Sequence, residues 1–155
     1  MLGPRGALRL ISARTGTLIR TLSPAGSWYP GDWSPDGREI VVWRDGTLVA
    51  YPVGGGEARV IADTEEFHDE AYLRLGVAWS PSGRWIAWIA GRWRARRRIY
   101  THATDCALWR VRAEGGAPQR VKSVRINPPP DSCYDPEALV WYEPKLAWQP
   151  RSSDR

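Results

Sequence analysis

The eleven residues WSPDGREIVVW, from Trp33 to Trp43, return as WSPSGRWIAWI from Trp79 to Ile89, a spacing of 46 residues. Self-similarity at a period of roughly twenty to fifty residues belongs to stacked architectures, in which each supersecondary unit finds its core against the next. The local chemistry of the repeat says what the unit is. Pro35 presets φ for a turn, Asp36 tolerates the bridge region and Gly37 supplies a positive φ, so Ser-Pro-Asp-Gly reverses the chain between two strands. The second copy replaces only the aspartate, with Ser82. The runs after each turn, Ile40–Trp43 and Ile86–Ile89 in register, are apolar at every position. Strands apolar on both faces are buried between neighbouring sheets.

The copies continue beyond these strands. TLVAYPVGGGEARVIA, residues 47–62, is similar to ALWRVRAEGGAPQRV, residues 107–121, with Leu48, Gly55 and Gly56 matching Leu108, Gly115 and Gly116. Each reads as two strands around a glycine turn. LRLISARTGTLIRTL, residues 8–22, fits the same template at an offset of 40, and LAWQP, residues 146–150, reads like VAWSP, residues 77–81. With the strands of one unit named a to d, the chain runs c-d, a-b-c-d, a-b-c-d and a final a. The expected fold is all-β: a partial β-propeller, an open arc of two full four-stranded blades with incomplete blades at its ends. The expected blade boundaries are 8–22, 31–62, 76–121 and a start at 145–150, within a propeller region 1–150 and a tail 151–155. Ten tryptophans, Gly 15 and Pro 13 suit short strands and tight turns, and no stretch has helical periodicity.

These residues resemble the TolB-like propeller family (WD40-like, PD40-type), whose repeat reads approximately W-S-P-D-G-x-x-I-A-F, a strand, a Gly-Gly turn and a last strand. The WD dipeptide of WD40 repeats themselves is absent. The resemblance implies a propeller and, beyond it, a scaffold for protein or cell-envelope binding. The family's eponymous periplasmic protein, partner of a peptidoglycan-associated lipoprotein, has an amino-terminal α/β domain and six blades. This chain has room for neither, and is expected to be a fragment that is poorly stable alone or completes itself with another chain, because open ends expose strand edges. A second implied reading is the propeller of a larger hydrolase such as a prolyl-oligopeptidase-type serine peptidase.

Loop lengths separate the two ends of such an arc. The a-b and c-d turns are short. The second b-c connection carries an insertion of 14 residues within GRWRARRRIYTHATDC, and the d-a connections, residues 63–76 and 122–144, are longer than ordinary loops. Loops beyond about a dozen residues are uncommon unless functional or disordered. The long-loop face is therefore the expected binding face, with Arg92, Trp93, Arg94, Arg96, Arg97, Arg98, Tyr100 and Trp141 as candidate partner-binding residues. Arginines interleaved with aromatics also suit single-stranded nucleic acid, but a basic run is weak evidence, and the plainer reading is a solvated hairpin whose arginines pair with carboxylates. Asp63, Glu65, Glu66, Asp69 and Glu70, around His68, supply such carboxylates without metal-ligand spacing. Each exposed pair would contribute about 0.2–1 kcal/mol.

Cys106 and Cys133 fall on the same expected face. Either they form a disulfide, closing a loop of about 27 residues and stabilising by about 3 kcal/mol, or they are two thiols. A bond would favour an exported protein. No catalytic motif is present: no G-x-S-x-G elbow, H-E-x-x-H or P-loop, and no nucleophile beside either histidine. The expectation is a non-enzymatic chain with no cofactor and no metal. Trp33, Trp79 and Trp148 recur at one blade position and read as core packing. The net charge of +5 comes almost wholly from arginine and permits an acidic partner. No apolar run spans a membrane, and the first sixteen residues lack a secretory core, so the expected compartment is cytoplasmic, or extracytoplasmic if the true start lies upstream.

Overall fold

In a computed structural model of the chain, which describes residues 6–26, 28–63, 72–96 and 99–123, every regular element is a β-strand. β1 (Leu8–Ile11) and β2 (Leu18–Ser23) form a two-stranded sheet. β3 (Trp28–Trp33), β4 (Glu39–Arg44), β5 (Thr47–Pro52) and β6 (Arg59–Ala62) form a four-stranded sheet in chain order. β7 (Tyr72–Trp79), β8 (Trp85–Arg96), β9 (Ile99–Arg112) and β10 (Gln119–Ser123) form another. All pairings are antiparallel, as strands joined by tight turns must be. β7 begins at Tyr72, inside the stretch expected to be a connection up to Gly76. The terminal LAWQP segment lies outside the described residues.

The Ser-Pro-x-Gly turns close as their chemistry dictates. The Gly37 N–H donates to the Ser34 carbonyl at 2.9 Å and the Gly83 N–H to the Ser80 carbonyl at 2.8 Å. Both glycines have positive φ, 69° and 71°. Each turn buries its serine and satisfies it. Ser34 Oγ accepts the N–H groups of Arg38 and Glu39 at 3.1 and 2.9 Å and donates to Asp36 Oδ1 at 2.6 Å, while Ser80 Oγ accepts the Trp85 N–H at 3.0 Å. The serine hydroxyl thus holds the start of the following strand, which explains why both copies begin the turn with it.

The middle sheet buries both of its faces. Ile40, Val42, Val49 and Tyr51 pack with Leu8 and Leu22 of the first hairpin. Val41, Trp43, Leu48 and Ala50 pack on the other side with Ile86, Trp88, Ala90 and Val111 of the last sheet. At the centre of that second layer the Trp43 and Trp88 rings meet edge to face, 5.4 Å apart at 80°, a geometry the ring quadrupoles favour.

Polar links join the same two sheets. Asp32 Oδ2 accepts the Trp79 N–H at 2.7 Å, Arg59 Nη1 donates to the Ala113 carbonyl at 2.6 Å, and the Gly116 N–H donates to the Ile61 carbonyl at 3.1 Å. Arg59 Nη2 also forks onto both Glu39 oxygens, at 3.0 and 2.9 Å. One arginine therefore neutralises a carboxylate in its own sheet and reaches a backbone acceptor in the next.

The expected packing of the repeated tryptophans holds at one position and fails at another. Trp79 is 6% exposed and its indole N–H donates to the Gly83 carbonyl at 3.1 Å, but Trp33 is 47% exposed. The difference lies in what each ring faces. Trp79 has a four-stranded sheet beside it, whereas a two-stranded hairpin is the neighbour on the Trp33 side. Trp148 lies outside the described residues.

Candidate functional site

The described residues of the insertion do not form a loop; they lengthen two strands. In the middle sheet the hairpin closes at Arg44↔Thr47 around Asp45 and Gly46, whose φ values of 49° and 93° make a tight two-residue turn. The matching pair in the last sheet is Ala90↔Ala107, and from there the ladder continues through Arg92↔Thr104, Trp93↔Ala103, Arg94↔His102 and Ala95↔Tyr100 to Arg96↔Ile99. Continuing the ladder pairs backbone groups that an irregular loop would leave to water. β7 follows this extension as far as Tyr72↔Arg92 and β10 ends at Ser123↔Ala107, so a two-stranded ribbon extends past the sheet.

Of the candidate residues, Arg92, Trp93, Arg94 and Arg96 lie on β8 and Tyr100 on β9; Arg97, Arg98 and Trp141 lie outside the described residues. So does Cys133, the proposed partner of the buried Cys106. Among the acidic candidates Asp63 is described, and its carboxylate accepts the Thr47 hydroxyl at 3.4 Å. Glu65, Glu66, His68, Asp69 and Glu70 are not among the described residues. The described ends of the divergent segments lie at one end of the sheets: Ala62 pairs with Leu48 beside the Asp45 turn, Tyr72 with Arg92, and Ser123 with Ala107.

The opposite end, where the short a-b and c-d turns lie, contains a groove of about 480 Å³ between the two four-stranded sheets. Asp36, Glu39, Arg59, Trp79, Ser82 and Glu114 are among its lining residues. Short turns built of Ser, Pro and Gly have little side-chain bulk with which to fill the space between sheets. Nothing in the linear sequence brings Arg59 and Glu114 beside the Ser-Pro-x-Gly turns; the register does. Ser34 Oγ donates once and accepts twice, which fills its hydrogen-bonding capacity within the turn. Among the described residues no three His, Cys, Asp or Glu side chains converge to hold a metal ion, and no helix is long and apolar enough to cross a membrane.

The Ser34 hydroxyl, with the Arg38 backbone N–H, holds the exposed Asp36 carboxyl below its ordinary value of 3.8. A depressed folded-state pKa adds stability that is present above the unfolded value and lost as pH falls through the folded one. Asp36→Asn is therefore expected to flatten the loss of stability between about pH 5 and about pH 3. Urea midpoints of both proteins across that window measure it, and parallel curves would refute the assignment.

No protein-family profile matches the sequence, and no curated protein matches it. The fold does find a match. It is similar to that of TolB from Agrobacterium tumefaciens. The TM-score is 0.52 with 16% sequence identity, over 79% of this chain and 41% of that one. Such identity speaks for the fold alone: the chain has a TolB-like, β-propeller type of structure. It spans well under half the length of that protein.

Proposed function

We propose that the chain is an open propeller arc, with β3–β6 and β7–β10 as two full blades and β1–β2 as half of a preceding one. Its function is non-catalytic: it holds a protein or cell-envelope partner through the end from which the β8–β9 ribbon extends. The observation that carries this reading is the ribbon itself, where two strands run past their sheet while the matching hairpin turns after two residues. Stacking of sheets gives no reason for that length, and a paired backbone holds Arg92, Trp93, Arg94, Arg96 and Tyr100 at fixed register. Residues on a rigid element lose less freedom on binding than residues on a loop.

Replacing residues 91–106 by Asp-Gly copies the turn of the middle sheet. The shortened chain is expected to keep its urea midpoint and a β-type circular dichroism spectrum, lowered by the strand residues removed. Immobilised beside the full chain and exposed to a bacterial envelope extract, it is expected to lose the proteins that the full chain retains. Identical retained sets would overturn the assignment of binding to the ribbon.

A further inference from the structure

The two four-stranded sheets are copies, so positions can be matched through their ladders. The pairs Glu39↔Pro52, Val41↔Ala50 and Trp43↔Leu48 of the middle sheet correspond to Trp85↔Arg112, Ala87↔Arg110 and Ile89↔Leu108 of the last. In the middle sheet Val41, Ala50, Trp43 and Leu48 lie in the core against the last sheet. In the last sheet the matching face has Arg110 at the position of the buried Ala50 and Arg112 at that of Pro52, the half-buried end of its strand.

Their geometry is specific. The Arg110 and Arg112 guanidinium carbons lie 4.3 and 4.1 Å from the Trp85 ring centroid. Stacking of this kind orients a guanidinium and leaves its N–H edge available for a carboxylate. Arg110 Nε donates to Gln119 Oε1 at 3.2 Å, and neither arginine has a carboxylate partner among the described residues. Two oriented cations, without a carboxylate partner among the described residues, thus stand beside the apolar Ala87, Ile89 and Leu108.

We infer that this outward face of the last sheet docks an acidic protein segment, through carboxylates that meet Arg110 and Arg112 around Trp85. The inference is independent of the ribbon. Charge complementarity decides the occupant. Burying these guanidinium edges unpaired would be costly, so whatever covers them must bring acceptors, and carboxylates are the acceptors that also neutralise the charge. Nucleic acid is disfavoured because a ring already engaged by two guanidiniums offers a base little surface for stacking.

The test is fluorescence anisotropy of labelled decaglutamate, with labelled decathymidylate in parallel, against the full chain at low salt. The Arg110→Gln/Arg112→Gln variant is expected to bind decaglutamate about tenfold more weakly than wild type, and Arg9→Gln/Arg14→Gln, with the same net charge, within about twofold. Circular dichroism establishes that each variant is folded. Arg112→Glu, a single change at an exposed position, is the second variant and is expected to lose the same binding. Three results would each overturn the inference. One is absence of decaglutamate binding by the wild type. Another is an equal loss in Arg9→Gln/Arg14→Gln. The third is tighter binding of decathymidylate through the same arginines.

Discussion

Trp88→Ala is expected to lower the unfolding free energy by about 3–5 kcal/mol, the range for removing a large aromatic from a packed core. Trp88 has no exposed surface and meets Trp43 across the interface between the two four-stranded sheets. Its ladder partners are Val77 and Trp109, so the void would open in the middle of three strands rather than at an edge that could collapse. Domains are stable by about 5–15 kcal/mol, and a chain whose first sheet has two strands belongs near the lower end of that range. The variant is therefore expected to be largely unfolded in dilute urea. Trp33→Ala, at a ring that is 47% exposed, is expected to cost about 1 kcal/mol or less. Urea unfolding of both, followed by circular dichroism, is the measurement. A Trp88→Ala loss below about 1 kcal/mol would mean that the sheets do not share this core.

The contrast between these tryptophans shows how far the sequence could be read. Strand order and turns were legible because they depend on local chemistry: Pro35, Gly37 and Gly83 fix their turns wherever the chain goes. The burial of Val41 and Val42 on opposite faces was legible for the same reason, since an unbroken apolar run needs two neighbours. Trp33 was not legible. It occupies the same motif position as Trp79, and its exposure depends on the preceding sheet having two strands. Equivalence within a repeat fixes what a residue could face, and the partner decides whether it is covered.

The candidate sites divide along the same line. An insertion of fourteen residues could be counted, but a count does not separate a loop from a longer hairpin; the pairing of Arg92 through Arg96 does. The groove by Asp36, with Arg59 and Glu114 drawn in from distant strands, depends on tertiary register that no local signal encodes. In the sequence Arg110 and Arg112 are part of the repeat copy ALWRVRAEGGAPQRV and nothing local singles them out. Their meaning comes from matching them to Ala50 and Pro52, because a guanidinium at a stacking position imposes a charge requirement on whatever covers it.

Gly31→Ala is the second large effect, and its cause is backbone rather than side-chain packing. Gly31 lies in the irregular stretch of β3 between Tyr29↔Trp43 and Asp32↔Val41, where Pro30 has no N–H to contribute to the ladder. A Cβ at Gly31 would run into the Val41 carbonyl oxygen and a Val42 methyl. The carbonyl cannot retreat, because Val41 is fully buried and paired on its other side with Ala50. β3 would have to move instead. That movement would draw Asp32 away from the Trp79 N–H and weaken a link between the sheets as well as the ladder. A loss of about 3 kcal/mol is expected, at the upper end for overpacking, since a backbone atom rather than a flexible side chain is the obstacle. Gly54→Ala is the control: its Cβ would meet nothing within 4 Å, and little change is expected. Equal urea midpoints for the two variants would mean that β3 does not approach β4 this closely, and that Gly31 serves some purpose other than space.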